Sequence, residues 1–192
     1  MATGTSGGQM NVRGMADQIR EAGAREFVSP NNVHDVLTSM HEVIQATQEA
    51  LADIGTQVDE QPGVLKDYGE AAREAAGSMS GAADALEQAT GPGITGQGAT
   101  GTGLRETAEE IRQMSGREFA DSDDVHNTLI DLHQIIDATQ EAMYALAHKI
   151  AELPGVVPEY SAAAFEASGR LQGIAEVLHG KVGEGITGQG AV

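Results

Sequence analysis

Residues 12–99 of this chain align with residues 104–191 without a gap, at a constant offset of 186 − 94 = 92. Of the 88 aligned positions, 38 are identical. Arg25-Glu26-Phe27 returns as Arg117-Glu118-Phe119, the run ATQEA at 46–50 as 138–142, and ITGQGA at 94–99 as 186–191. ATGT at 2–5 also reappears at 99–102. Identity of that density in one register marks a tandem duplication. The fold must therefore be one that each of two similar halves can help to build. Comparing the copies shows what both kept while they diverged.

Each copy reads as helix. Val12, Ala16 and Ile19, with Leu104, Ala108 and Ile111 in the second copy, share one face of a short amphipathic helix. Ser29 before Pro30 is a helix start, with Asp121 as the cap in the second copy and Asp123 and Asp124 in its positive first turn. An apolar seam follows: Val33, Leu37, Met40, Ile44, Thr47, Leu51, Ile54, Val58. Its counterpart is Val125, Leu129, Leu132, Ile136, Thr139, Met143, Leu146, Ile150. Spacings of four and three alternate along roughly 40 Å of helix, as in a coiled coil. Val36, Val43, Ala50, Ile135 and Ala142 widen the seam. A face that wide expects more than one helical neighbour, so these five residues form the candidate interaction face.

Pro62-Gly63 and Pro154-Gly155 end the long helices and turn the chain. The return helix carries Leu65, Tyr68, Ala72, Ala75, Met79, Ala82 and Leu86, matched by Val157, Tyr160, Ala164, Ala167, Leu171, Ile174 and Leu178. The organisation is a tail (1–11), a helical repeat (12–90), a Gly-rich linker (91–103), a second repeat (104–179) and a Gly-rich tail (180–192). The expected fold is all-α: a tandem duplication of a short helix plus a long antiparallel helical hairpin, joined as a pseudo-twofold helical bundle.

Composition narrows the function. Aromatics are 3% with no Trp, so the core is built from Ala, Val, Ile, Leu and Met, which suits close-packed helices. The net charge is −18. Such a surface repels phosphate backbones and anionic lipid, and no basic patch offsets it; nucleic acid is not expected as a partner. There is no cysteine for a disulfide or thiolate metal site. The N-terminal MATGTSGGQM has no signal-peptide pattern, and no apolar run is long enough to insert into a membrane. A cytoplasmic protein is the default expectation, with leaderless export as the alternative.

Few residues suggest chemistry. Gly91, Gly93 and Gly96 have G-x-G-x-x-G spacing but follow a helix rather than a strand, and no P-loop is present, so no nucleotide cofactor is expected. His34 and His41 are retained as His126 and His133. Seven residues of helix separate them by about 10.5 Å, too far for both rings to hold one metal. A metal site would need carboxylates from neighbouring helices, with Glu49, Glu74, Glu141 and Glu166 as candidates. The bland reading is that these histidines border the seam and hydrogen-bond across it. Thr47 and Thr139 are polar at seam positions; they either fix helix register or bond their own backbone. No serine lies in a nucleophile motif.

A cysteine-free, Ala-rich helical hairpin of about ninety residues resembles the WXG100 (ESAT-6-like) proteins of Gram-positive secretion systems. The resemblance spans the two long helices of each copy. Pro62-Gly63-Val64 and Pro154-Gly155-Val156 stand where that family has Trp-x-Gly. Its Tyr-x-x-x-Asp/Glu signal is also missing: Tyr68 is followed by Ala72, Tyr160 by Ala164 and Tyr144 by His148. The resemblance implies a role beside a bacterial secretion or conjugation system. The sequence thus supports a non-enzymatic structural or interaction protein that self-associates or binds a helical partner, with a carboxylate/histidine metal enzyme in the bundle core as the alternative.

Overall fold

The computed structural model describes residues 11–26, 30–62, 64, 66–90, 102–156 and 158–182. They form six helices: α1 (Val12–Ala24), α2 (Pro30–Glu60), α3 (Lys66–Thr90), α4 (Thr102–Ser115), α5 (Ser122–Glu152) and α6 (Pro158–Val182). No strand occurs among the described residues, and the all-α expectation holds. Both repeated ITGQGA segments lie outside the described residues, as do Ser29, Leu65 and Val157.

Helix starts follow local chemistry. Asp121 caps α5 by accepting from the Asp124 backbone N–H at 2.9 Å, and Asp124 in turn accepts from the Ala120 N–H at 3.2 Å. Pro30 opens α2 as its first residue. α1 has a cap that the sequence reading missed: the Asn11 side chain accepts from the Gly14 N–H at 3.0 Å. A Cβ at Gly14 would collide with that Asn11 amide, so the glycine serves the cap. Gly155, at φ +85°, turns α5 into α6 in a left-handed conformation that glycine adopts without strain.

α2 and α3 form one antiparallel hairpin and α5 and α6 the other, and the hairpins meet mainly where α3 packs along α6. Ala72, Ala75, Ala82, Ala164 and Ala167 are buried there and between the hairpin arms. Such small side chains let helix axes approach to the short end of the usual range of about 8–10 Å.

The short helices are exchanged. α1 packs on α5 and α4 packs on α2, so each short helix lies against the long helix of the other repeat. A repeat is therefore a unit of sequence but not of packing. This exchange explains the width of the seam. Val36, Val43, Ala50, Ile135 and Ala142 are all buried within the chain. As an interaction face for another molecule they are corrected: the chain's own helices cover them. The approach is close at Gly23 on α1, where a Cβ would lie 2.6 Å from the Cα of Ala142 on α5.

Candidate functional site

The exchange of short helices is locked by contacts that come in matching pairs. Arg20 on α1 donates from Nε to Glu141 on α5 at 2.6 Å, and Arg112 on α4 donates to Glu49 on α2 at 2.7 Å. Arg20 and Arg112 are equivalent positions, as are Glu49 and Glu141, so one contact is built twice. The Lys149 ammonium reaches the end of α1 and donates to the carbonyls of Gly23 (3.2 Å), Ala24 and Arg25 (3.0 Å). The equivalent Gln57 donates to the Ser115 carbonyl at the end of α4, at 2.6 Å. Each long helix thus satisfies carbonyls that the opposite short helix leaves open.

The histidines fall into two matched pairs with different environments. His126 stacks on Tyr68 with ring centroids 5.6 Å apart and 10° between planes, and the equivalent pair, His34 and Tyr160, is tilted at 6.4 Å. Each is again a contact between repeats. The His126 Nε2 is buried without a hydrogen-bond partner.

His133 sits beside a carboxylate of its own helix: its Nδ1 lies 3.3 Å from an Asp137 oxygen one turn along α5. His179 stands beside it, with ring centroids 6.2 Å apart. Burial lowers the His133 pKa, Asp137 opposes that shift, and His179 adds to it. Burial likewise raises the Asp137 carboxyl. His41 departs from the bland reading. It is 3% exposed, neither ring nitrogen has a hydrogen-bond partner, and burial lowers its pKa against the pull of Glu87, Glu42 and Asp84.

The metal candidates are not brought together. Glu49 and Glu141 are held by arginines, Glu166 pairs with Arg170 one turn along α6 at 2.8 Å, and Glu74 is exposed on α3. Among the described residues, no group of three His, Asp or Glu side chains is placed to hold a metal ion. Thr47 and Thr139 donate to the Val43 and Ile135 carbonyls of their own helices, at 2.8 and 2.7 Å. Their hydroxyls make no bond across the seam that would set register.

One cluster went unnoticed in the sequence. Tyr144 and His148 on α5 meet Phe165 on α6 edge to face, with centroid separations of 4.5 Å (Tyr144–His148), 5.0 Å (His148–Phe165) and 6.0 Å (Tyr144–Phe165). Tyr144 is 52% exposed and Phe165 38%, the large hydrophobic side chains that face solvent among the described residues. Two signals pointed there. Tyr144 and His148 are one helical turn apart, and all three positions diverge between the copies, where Ala52, Thr56 and Arg73 stand in the first.

No helix among the described residues is long and apolar enough to cross a membrane. No protein-family profile matches the sequence, and neither a curated protein nor a solved structure matches it.

Proposed function

We propose that this chain is a non-enzymatic interaction protein: a closed helical scaffold that presents its outer faces to a protein partner. The observation that carries this reading is the Tyr144–His148–Phe165 cluster. The chain has only three Phe, three Tyr and no Trp, and among the described residues Tyr144 and Phe165 are set on the surface. Aromatic side chains that combine large area with few rotatable bonds are enriched at protein interfaces. The groups that suggested chemistry are occupied otherwise: Glu49 and Glu141 hold arginines, and His133 lies against Asp137 of its own helix. The likeness of the hairpins to WXG100 proteins, and the secretion role it implies, belong to the same proposal.

The test is crosslinking in the native host, followed by mass analysis of the tagged chain. The expected result is a defined protein complex with crosslinks on exposed α5 or α6 positions. Recovery of the free 19.9 kDa chain alone would refute the reading.

A further inference from the structure

The two repeats agree where they hold each other and differ sharply at one outer corner. In the first repeat that corner is polar and closed. Arg73 on α3 reaches back to α2, where it pairs with the Asp59 carboxylate and donates to the Gly55 carbonyl at 3.1 Å. In the second repeat Phe165 replaces Arg73, Ala151 replaces Asp59 and Ala147 replaces Gly55. Tyr144 and His148 then stand in place of Ala52 and Thr56. Five substitutions on two helices convert an ion-paired corner into an exposed aromatic one. A single exposed apolar side chain on a protein surface needs no explanation. Three aromatic rings that meet, in only one of the two copies, do.

Charge selects the occupant. A second copy of this chain would bring another −18 to the contact, and like charges of that size oppose self-docking. The cations nearest in sequence to the cluster are already engaged. Lys149 faces the carbonyls that end α1, and Arg170 is paired with Glu166. Along α5 the helical spacing places Glu152 one turn after His148, while Glu141, one turn before Tyr144, is paired with Arg20. An aromatic surface on an acidic protein attracts side chains that are both cationic and long, because ring faces are negative and Arg and Lys stems are apolar.

We propose that the Tyr144–His148–Phe165 corner docks a basic, amphipathic segment of a partner protein, with Arg or Lys side chains lying against the rings. This rests on the reading of the chain as an interaction protein and names the partner's chemistry and the place of contact.

The experiment uses the full-length chain and two probes, a synthetic Leu/Lys/Arg amphipathic helical peptide and an oligolysine of equal charge. Aromatic side-chain NMR follows binding, since few aromatic residues make the resonances of Tyr144, Phe165 and His148 separable from those of buried Phe119 and half-buried Tyr68. The amphipathic peptide is expected to shift the three corner resonances saturably, and oligolysine to bind more weakly. Tyr144→Ala with Phe165→Ala, which removes both rings without adding a charge, should weaken peptide binding about tenfold or more while leaving the helical circular dichroism unchanged. Equal binding by that variant, shifts spread over the acidic surface with the corner unmoved, or concentration-dependent self-association through the corner would each overturn the proposal. None of these results bears on whether a protein complex is recovered from the host, so the site can fail while the interaction reading stands.

Discussion

The exchanged packing of α1 predicts that one substitution, Gly to Ala, should act in opposite directions at two helical sites. At Gly77 in α3 a Cβ would meet nothing within 4 Å. The exchange there only removes the entropic penalty of glycine in a helix, a gain of about 0.5–1 kcal/mol. At Gly23 the new Cβ would lie 2.6 Å from the Ala142 Cα and 2.8 Å from both its Cβ and its carbonyl oxygen. The nearest of these are backbone atoms that cannot rotate away, so α1 must lift from α5. Forced overpacking of that kind costs about 1–3 kcal/mol. Gly23 is the next-to-last residue of α1, so the helix-propensity gain there is only a few tenths of a kcal/mol. A net loss of about 1–2 kcal/mol remains.

For a chain of 192 residues, 1 kcal/mol moves Tm by about 2–4 °C. Thermal unfolding followed by circular dichroism should therefore place Gly77→Ala about 1–4 °C above the parent protein and Gly23→Ala about 2–8 °C below it. The equivalent of Gly23 is Ser115, which carries a Cβ and whose hydroxyl lies within donating distance of Asp53 (3.1 Å) and of the Arg112 carbonyl (3.2 Å), so Ser115→Ala should cost the loss of that hydroxyl's bonding, about 1 kcal/mol. If Gly23→Ala raises Tm as Gly77→Ala does, α1 does not rest on Ala142. The exchange of short helices between repeats would then be wrong.

Three further outcomes test the same architecture. A double-mutant cycle on Arg20→Ala and Glu141→Ala, and another on Arg112→Ala and Glu49→Ala, should each return a coupling of about 0.2–1 kcal/mol, because both pairs are partly exposed; zero coupling in both would remove the paired clamp. Cleavage at a protease site introduced between residues 91 and 101 should leave two fragments that co-elute in gel filtration, since α1 is held by α5 and α4 by α2; separation into two folded halves would contradict that. The folded state binds fewer protons at His41 than the unfolded chain does, as its pKa falls below the ordinary 6.5, so stability at this group is full above about 6.5 and declines as pH drops toward the folded value; His41→Leu should flatten urea midpoints across that window, and an unchanged slope would show that His41 takes up protons freely. Asp131 and Asp137, whose pKa values are raised by burial, act in the opposite sense and lower down, regaining stability as pH falls toward their ordinary 3.8.

Helices and turns were legible in the sequence because they depend on neighbours along the chain. Spacings of three and four located α2, α3, α5 and α6, Asp121 marked the start of α5, and Pro154-Gly155 marked its end. The packing partner of each helix was not legible in the same way. An amphipathic face states how much surface must be covered, and it says nothing about which copy does the covering when both copies carry the same face. Val43 and Ile135 read correctly as surplus apolar surface, and α4 and α1 from the opposite repeat, rather than another molecule, account for that surplus. A trace of the answer was present: Arg20, Arg112, Glu49 and Glu141 are charged, lie outside the seams and are identical in both copies. Retention of opposite charges at both ends of a pair, in both copies, is the trace that a contact built twice leaves in the sequence.

Comparing the copies also shows why the surface cluster was harder to see than the clamp. Retention picks out what both repeats need, and that is necessarily the common scaffold. Any feature belonging to one repeat alone appears as divergence, mixed with neutral change at every other exposed position. Tyr144 replacing Ala52 is unremarkable by itself, and so is Phe165 replacing Arg73. They become one event only when the hairpin places α5 against α6 and the rings touch. Loss of Asp59's carboxylate to Ala151 completes it, because Arg73 and Asp59 form one ion pair and either alone would leave a charge without its partner. The second repeat therefore changed a pair and a surface together. The duplicated scaffold can stay closed through Arg20 and Arg112 while that one corner is free to face another protein.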